Sequence, residues 1–180
     1  MTINEELILV NESDEILGFC EKLKAHELGL CHRAFSIFIF KNTGNGTELL
    51  IQKRANEKYH CPKLWSNTCC SHPRPHEDTK DAANRRLGEE LGFKTDLQHV
   101  GAFHYTAHFD NGLIENEYDH VFIGIIDQQE ITINPAEVSS IQWITTDNLK
   151  KAIIEAPEHF TPWLLKSLEI ATKAAHTGKH

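Results

Sequence analysis

The sequence predicts an α/β (α+β) domain, a largely antiparallel or mixed sheet with helices packed on it. Three observations carry this. Short apolar runs bounded by turn residues alternate with segments of helical apolar spacing. Those helical segments carry recognisable caps and stops. No internal repeat, low-complexity tract or linker interrupts the 180 residues, so one domain over residues 1–180 with a real core is expected.

The elements follow in chain order. Ser13 is a candidate N-cap, and Ile16, Phe19, Cys20 and Leu23 fall at helical spacing, which predicts an amphipathic helix from Asp14 to His26. Ala34–Phe40 (AFSIFIF) is a strand of the buried type. Asn42–Thr47 (NTGNGT) is a turn, and Glu48–Arg54 returns as the hairpin partner. Ala55–Lys63 is a polar loop, and WSNTCCSH is β-like or irregular. Glu77–Leu91 is a helix stopped by Gly92. LQHVGAFHYTAHF and NEYDHVFIGIID are strands joined by a turn at Asp110-Asn111-Gly112. VSSIQWIT is a further strand. Thr146-Asp147 opens a helix that ends before Pro157, and Thr161-Pro162 places a cap and a first-turn proline at the start of the last helix. The tail after Thr172 is expected to fray.

Composition excludes several classes. The net charge of −8 argues against a nucleic-acid or anionic-membrane surface, and no run of about 18 apolar residues offers a membrane span. The acidic, polar N-terminus does not resemble a signal peptide. Five cysteines, two of them adjacent, point to free thiols in a reducing cytoplasm. An anionic small-molecule substrate is compatible with this charge if a basic cluster or a cation is supplied locally. A monomer is the default expectation.

Several constellations carry chemistry. Ser71, five residues, Glu77, seven residues, then Arg85-Arg86-Leu87-Gly88-Glu89-Glu90-Leu91-Gly92-Phe93 form the most patterned segment. Arg86 and Glu90 are four apart and share a helix face, suited either to a phosphate oxygen and a Mg²⁺ or to a plain ion pair. Glu115 and Glu117 lie two apart on a strand and so share a face, where paired carboxylates need a cation or a proton between them. Cys70 and His72 likewise share a face, with Cys69 pointing the other way into packing. His26 and His32 flank the first helix–strand junction. Three imidazoles with two carboxylates would suit a borderline divalent metal such as Mn²⁺ or Zn²⁺.

The patterned segment resembles the Nudix box, with two departures: Ser71 stands for its leading glycine and Arg86 for the first glutamate of its second cluster. HRAFS, WSNTCCSHP, that box, IENEY and FTPW occur in this order, and together they are similar to the type I isopentenyl-diphosphate isomerases of the Nudix superfamily, over roughly residues 20–165. The resemblance implies a Nudix-like mixed sheet sandwiched by helices, and isomerisation of isopentenyl to dimethylallyl diphosphate in isoprenoid biosynthesis. It implies Cys70, Glu117, Tyr105 and Trp163 as catalytic residues, and His26, His32, His72, Glu115 and Glu117 as ligands of one Mn²⁺ or Zn²⁺. Glu90, helped by the Cys70 carbonyl, would bind the Mg²⁺ that accompanies the substrate diphosphate. Lys22, Arg54, Lys58, Ser71 and Arg86 would contact that diphosphate.

Two other readings compete. A Nudix diphosphohydrolase needs the full carboxylate cluster, and Arg86 counts against it. A zinc-stabilised binding module would use Cys61, Cys69, Cys70, His72 and His76, but their spacing lacks paired CxxC steps and leaves Glu115 and Glu117 unexplained.

Overall fold

A computed structural model describes residues 5–44, 46–58 and 60–177. Parts of the expected Asn42–Thr47 turn and Ala55–Lys63 loop, and the end of the tail, lie outside these residues. The strands are β1 (Glu6–Val10), β2 (Ile16–Glu21), β3 (His32–Thr43), β4 (Gly46–Arg54), β5 (Trp65–Ser66), β6 (Cys69–Ser71), β7 (Gln98–His108), β8 (Ile114–Ile125) and β9 (Val138–Thr145). The helices are α1 (Lys22–Leu28), α2 (Thr79–Leu91), α3 (Thr146–Glu155) and α4 (Leu164–Thr177), with a single 3₁₀ turn at Pro157–His159.

β3 is the hub. Its sequence, HRAFSIFIFKNT, is apolar on both faces, as a strand covered on both sides must be. It pairs in parallel with β8 and antiparallel with β1, β4 and β6, while β7 extends the sheet beyond β8 and β9 beyond β4. One face, with Phe35, Ile37 and Leu50, packs on Ala82, Ala83, Leu87 and Leu91 of α2. The other, with Phe38, Leu49 and Val121, packs on Leu149 and Ile153 of α3 and Leu164 and Leu168 of α4. The result is the mixed sheet sandwiched by helices that the sequence led us to expect. Among the described residues no helix is long and apolar enough to cross a membrane.

Four local expectations are corrected. Asp14–His26 is not one helix: Ile16–Glu21 is a strand in hairpin with β1, pairing Leu7 with Cys20 and Ile8 with Phe19. Asn11 closes the turn, its Oδ1 accepting from the Ser13 and Glu15 amides, so Ser13 caps nothing. The true cap is Glu21, whose carboxylate accepts from the Leu23 and Lys24 amides, and the helix stops at Gly29 in the left-handed region. The pairing with β1 overrides an apolar spacing that Gly18 already weakens. In α2 the cap is Asp78, leaving Glu77 outside the helix, where it accepts two hydrogen bonds from Arg85. At α4 the Thr161 hydroxyl bonds Ser66 instead of capping, and the regular helix starts only at Leu164. Through Thr177 the expected fraying after Thr172 is replaced by helix, because α4 continues there, with Ala171 buried in the core.

Candidate active site

The register of β3, β7 and β8 assembles the site. His32 on β3 stands beside Glu117 on β8, and Glu117 stands beside Tyr105 on β7. Alternation along β8 puts Glu115, Glu117 and Asp119 on one buried face. On the other side of β3, β6 pairs Cys70 with Ser36. Cys70 and Glu117 therefore enter one cavity from strands flanking β3. Cys69 turns into the opposite core, as alternation predicts. This also disposes of the zinc-module arrangement: Cys69 faces away from Cys70 and His72, and His76 packs on Phe19.

The cavity is lined by Cys70, Ser71, His72, Glu115, Glu117 and Trp163, and by the cations Lys22, Arg54, Lys58 and Arg86. His26, His32, Tyr105 and Glu90 lie just behind this lining, each touching a residue that belongs to it. All the residues expected from the sequence are thus gathered in one region.

His26, His32, His72 and Glu115 bring one ligand atom each to within 4.8 Å of one another, all buried. Glu117 adjoins this group, with Oε1 2.8 Å from His72 Nε2 and 3.5 Å from His32 Nε2. The Nδ1–H of His26 donates to the Lys22 carbonyl at 2.6 Å, and that of His32 to the Leu30 carbonyl at 2.9 Å. Both rings thereby turn an Nε2 lone pair inward, the orientation a metal ligand requires. His32 Nε2 and Glu115 Oε2 are buried and make no hydrogen bond. The donor set fits a divalent ion, and the cluster could hold one.

The electrostatics divide the groups. Burial pushes the Cys70 thiol up to about 11 despite the nearby Arg54, so the sulfur keeps its proton at neutral pH. Arg54 Nη1 points at that sulfur from 3.4 Å. Burial works against a charged Glu117, yet contacts with Glu115, His32 and Tyr105 outweigh it and hold the carboxyl at about 2. The Tyr105 hydroxyl donates to Glu117 Oε2, and burial, then that carboxylate, drives the phenol well above its ordinary value. Burial and next His32 drive His72 well below the usual imidazole range. A protonated thiol and an ionised carboxylate thus share one cavity.

The box helix supplies the cationic end. Arg86 donates to Glu89 at 2.7 Å and to Glu90 at 2.6 Å, and lies 3.2 Å from Glu137. The face that suited either a ligand pair or an ion pair is closed as an ion pair here. Glu90 is also held by Gln52 Nε2 at 2.8 Å. Trp163 is buried, its Nε1–H donating to Asn67 Oδ1 at 3.2 Å, and the Arg54 guanidinium lies 5.6 Å over its ring.

Reading the sequence missed four contributors. Glu5 pairs with Lys22 at 2.7 Å, and Glu137 bonds both Lys58 and Arg86. Asn67 orients Trp163, and His60 is buried beside His26 and Glu115. Asn67 lies within the WSNTCCSH signature and could have been singled out. Glu5, His60 and Glu137 sit in polar stretches with no spacing to mark them.

A sandwiched mixed sheet with the box helix closing one end of a polar cavity defines a Nudix-fold protein, and residues 31–164 match the NUDIX domain family. Solved structures agree on the fold: the Deinococcus radiodurans protein DR0079 superposes with a TM-score of 0.73 at 23% identity, over 92% of this chain and 98% of that one. A MutT protein from Methanosarcina mazei gives 0.63 at 14% identity, over 83% and 96%. Sequence relatives are more specific. An isopentenyl-diphosphate Delta-isomerase of Burkholderia multivorans is 47% identical, with 94% of each chain covered, and one of Photorhabdus laumondii is 49% identical, over 91% of this chain and 90% of that one. The chain belongs to the isopentenyl-diphosphate Delta-isomerase family.

Proposed function

We propose that this enzyme interconverts isopentenyl and dimethylallyl diphosphate by protonating one carbon of the substrate and deprotonating another. The observation that carries this is the convergence of the Cys70 thiol and the Glu117 carboxylate, brought in by strands on opposite sides of β3, in one cavity lined by four cations.

The diphosphate, entering with Mg²⁺, would lie among Lys22, Arg54, Lys58, Ser71 and Arg86, and Glu90 would reach its cation once Arg86 turns from Glu90 to the phosphate. The C5 tail then points toward Cys70, Glu117 and Trp163. The terminal alkene carbon gains one proton and C2 loses one, so the substrate's formula is unchanged. Glu117 with Tyr105 handles the proton on one side and Cys70 on the other. Each turnover shifts a proton between the two sides, and exchange with water resets them. An alkene is a very weak base, so the acid must be held in place and water kept out. Burial of Glu117, with the half-buried Tyr105 bonded to it, supports both requirements. Trp163 stabilises the tertiary cation through its ring quadrupole, a face already turned toward the positive charge of Arg54.

His26, His32, His72, Glu115 and Glu117 are the residues that would hold a Mn²⁺ or Zn²⁺. Such an ion would fix the Glu117 carboxylate and tune its basicity. The domain over residues 1–180 acts as a monomer in the cytoplasm on this small diphosphate, and it uses neither nucleic acid nor a membrane.

The test is incubation with isopentenyl diphosphate and Mg²⁺ in D₂O. Dimethylallyl diphosphate carrying solvent deuterium is expected. Release of phosphate or pyrophosphate with no isomer formed would overturn the reading.

A further inference from the structure

His60 is a buried imidazole that the reaction above does not use. It sits between β4 and β5 and is 6% exposed. Its ring centroid lies 4.2 Å from that of His26, and Phe109 packs on it at 5.6 Å. Arg54 fixes its backbone, donating from Nε and Nη2 to the His60 carbonyl at 3.3 and 3.1 Å. Its Nε2 faces Glu115 Oε2 at 3.6 Å.

Glu115 presents its two oxygens to different neighbours. Oε1 lies 3.5 Å from His26 Nε2, on the side of the imidazole cluster. Oε2 is buried without a hydrogen bond, and it is the oxygen His60 faces. A carboxylate that gives one oxygen to an ion leaves the other in need of a donor when both are dry. A movement of about 0.6 Å brings His60 Nε2–H into hydrogen-bond range of Oε2. The four atoms of the His26, His32, His72 and Glu115 cluster converge without His60.

We propose that His60 is a positioning residue of the metal centre, holding Glu115 by Oε2 so that Oε1 is left to the ion. The inference rests on the reading of that cluster as a metal site. It makes His60 a determinant of metal affinity and not a ligand.

The test uses metal-free full-length protein, titrated with Co²⁺ by calorimetry and followed by the visible spectrum of the bound ion. The parent, His60→Ala and His60→Gln are compared. His60→Ala is expected to bind one Co²⁺ with affinity lowered roughly 10- to 100-fold. His60→Gln, whose amide nitrogen takes the place of Nε2, is expected to recover a large part of that loss. The absorption bands should be the same in all three, because the ligands are unchanged. Should His60→Ala not fold, the Gln variant carries the comparison: near-parental affinity with an unchanged spectrum supports the proposal. Equal affinity of parent and Ala variant would overturn it. So would altered bands in either variant, which would make His60 a ligand. A parent that binds no Co²⁺ fails the metal reading itself and the proposal with it.

Discussion

The adjacent cysteines give the sharpest test, because they differ in role while sharing chemistry. In Cys70→Ala the lost sulfur is the one lining the cavity, 3.4 Å from Arg54 Nη1 and 3.9 Å from Ser66 Oγ. Arg54 keeps its two bonds to the His60 carbonyl, and β6 keeps its pairing with β3, so the frame survives. Stability should change by less than about 1 kcal/mol. Turnover should fall by at least roughly 10²- to 10⁴-fold, the span of a positioned acid–base group. In Cys69→Ala the lost sulfur is fully buried against α2. Removing it costs about 1–2 kcal/mol of transfer and cavity energy. Glu90 still keeps Gln52 and Arg86, so turnover should stay within about tenfold of the parent. Solvent-deuterium incorporation followed by NMR reads turnover, and thermal unfolding reads stability. Equal loss of turnover in both variants, or near-parental turnover in Cys70→Ala, would refute the assignment. The raised Cys70 pKa adds a pH signature. With the thiol near 11 in place of 9.0, its thiolate fraction at neutral pH is about 100-fold below the ordinary one, so substrate-free protein should resist alkylation there and yield as pH rises toward 11.

Two further predictions follow from the cationic end and the aromatic wall. Arg86→Glu restores the carboxylate of a Nudix box, but it sets that carboxylate against Glu89, Glu90 and Glu137. Isomerase kcat/KM should drop at least about 100-fold, chiefly through KM, and the midpoint of unfolding should fall, since removing one partner of an inward-facing ion pair costs on the order of 3 kcal/mol. Parental KM in this variant would remove Arg86 from the diphosphate site. Trp163→Phe loses the bond to Asn67 and part of the ring quadrupole, worth about 1–2 kcal/mol toward a desolvated cation, so kcat should fall roughly 5- to 30-fold with little change in KM. A change confined to KM would make Trp163 a packing residue.

The parts of this molecule legible in the sequence are those set by local chemistry. The strand runs of β3, β4, β7, β8 and β9 announce themselves by apolar content and bounding turns, and α2 by its terminal glycine. The β1–β2 hairpin was hidden because Ile16, Phe19, Cys20 and Leu23 also satisfy a helical period, and only pairing with Leu7 and Ile8 decides between the two. In the site, same-face pairs such as Glu115 with Glu117 were readable from a period of two. Which strand would supply the imidazole beside Glu117 was not, since the parallel register placing His32 there joins distant parts of the chain. His60 and Glu137 were silent for the same reason: each acts through a partner that only the fold brings near.

The resulting division of labour explains how a Nudix frame can hold a diphosphate without cleaving it. Hydrolysis on such a frame needs several metal ions around the phosphate, and therefore a carboxylate-rich box helix. Here the helix offers Glu89 and Glu90, but the guanidinium of Arg86 lies against both and against Glu137 from β9's approach. Both carboxylates of the box are thus already paired with a guanidinium. Lys58, tied to the same Glu137, adds a second fixed positive charge at that end. Cys70 and Glu117 stand elsewhere, on β6 and β8 either side of β3. With Arg86 where the box would carry a glutamate, the helix presents a paired guanidinium to the same cavity that Cys70 and Glu117 enter from the strands.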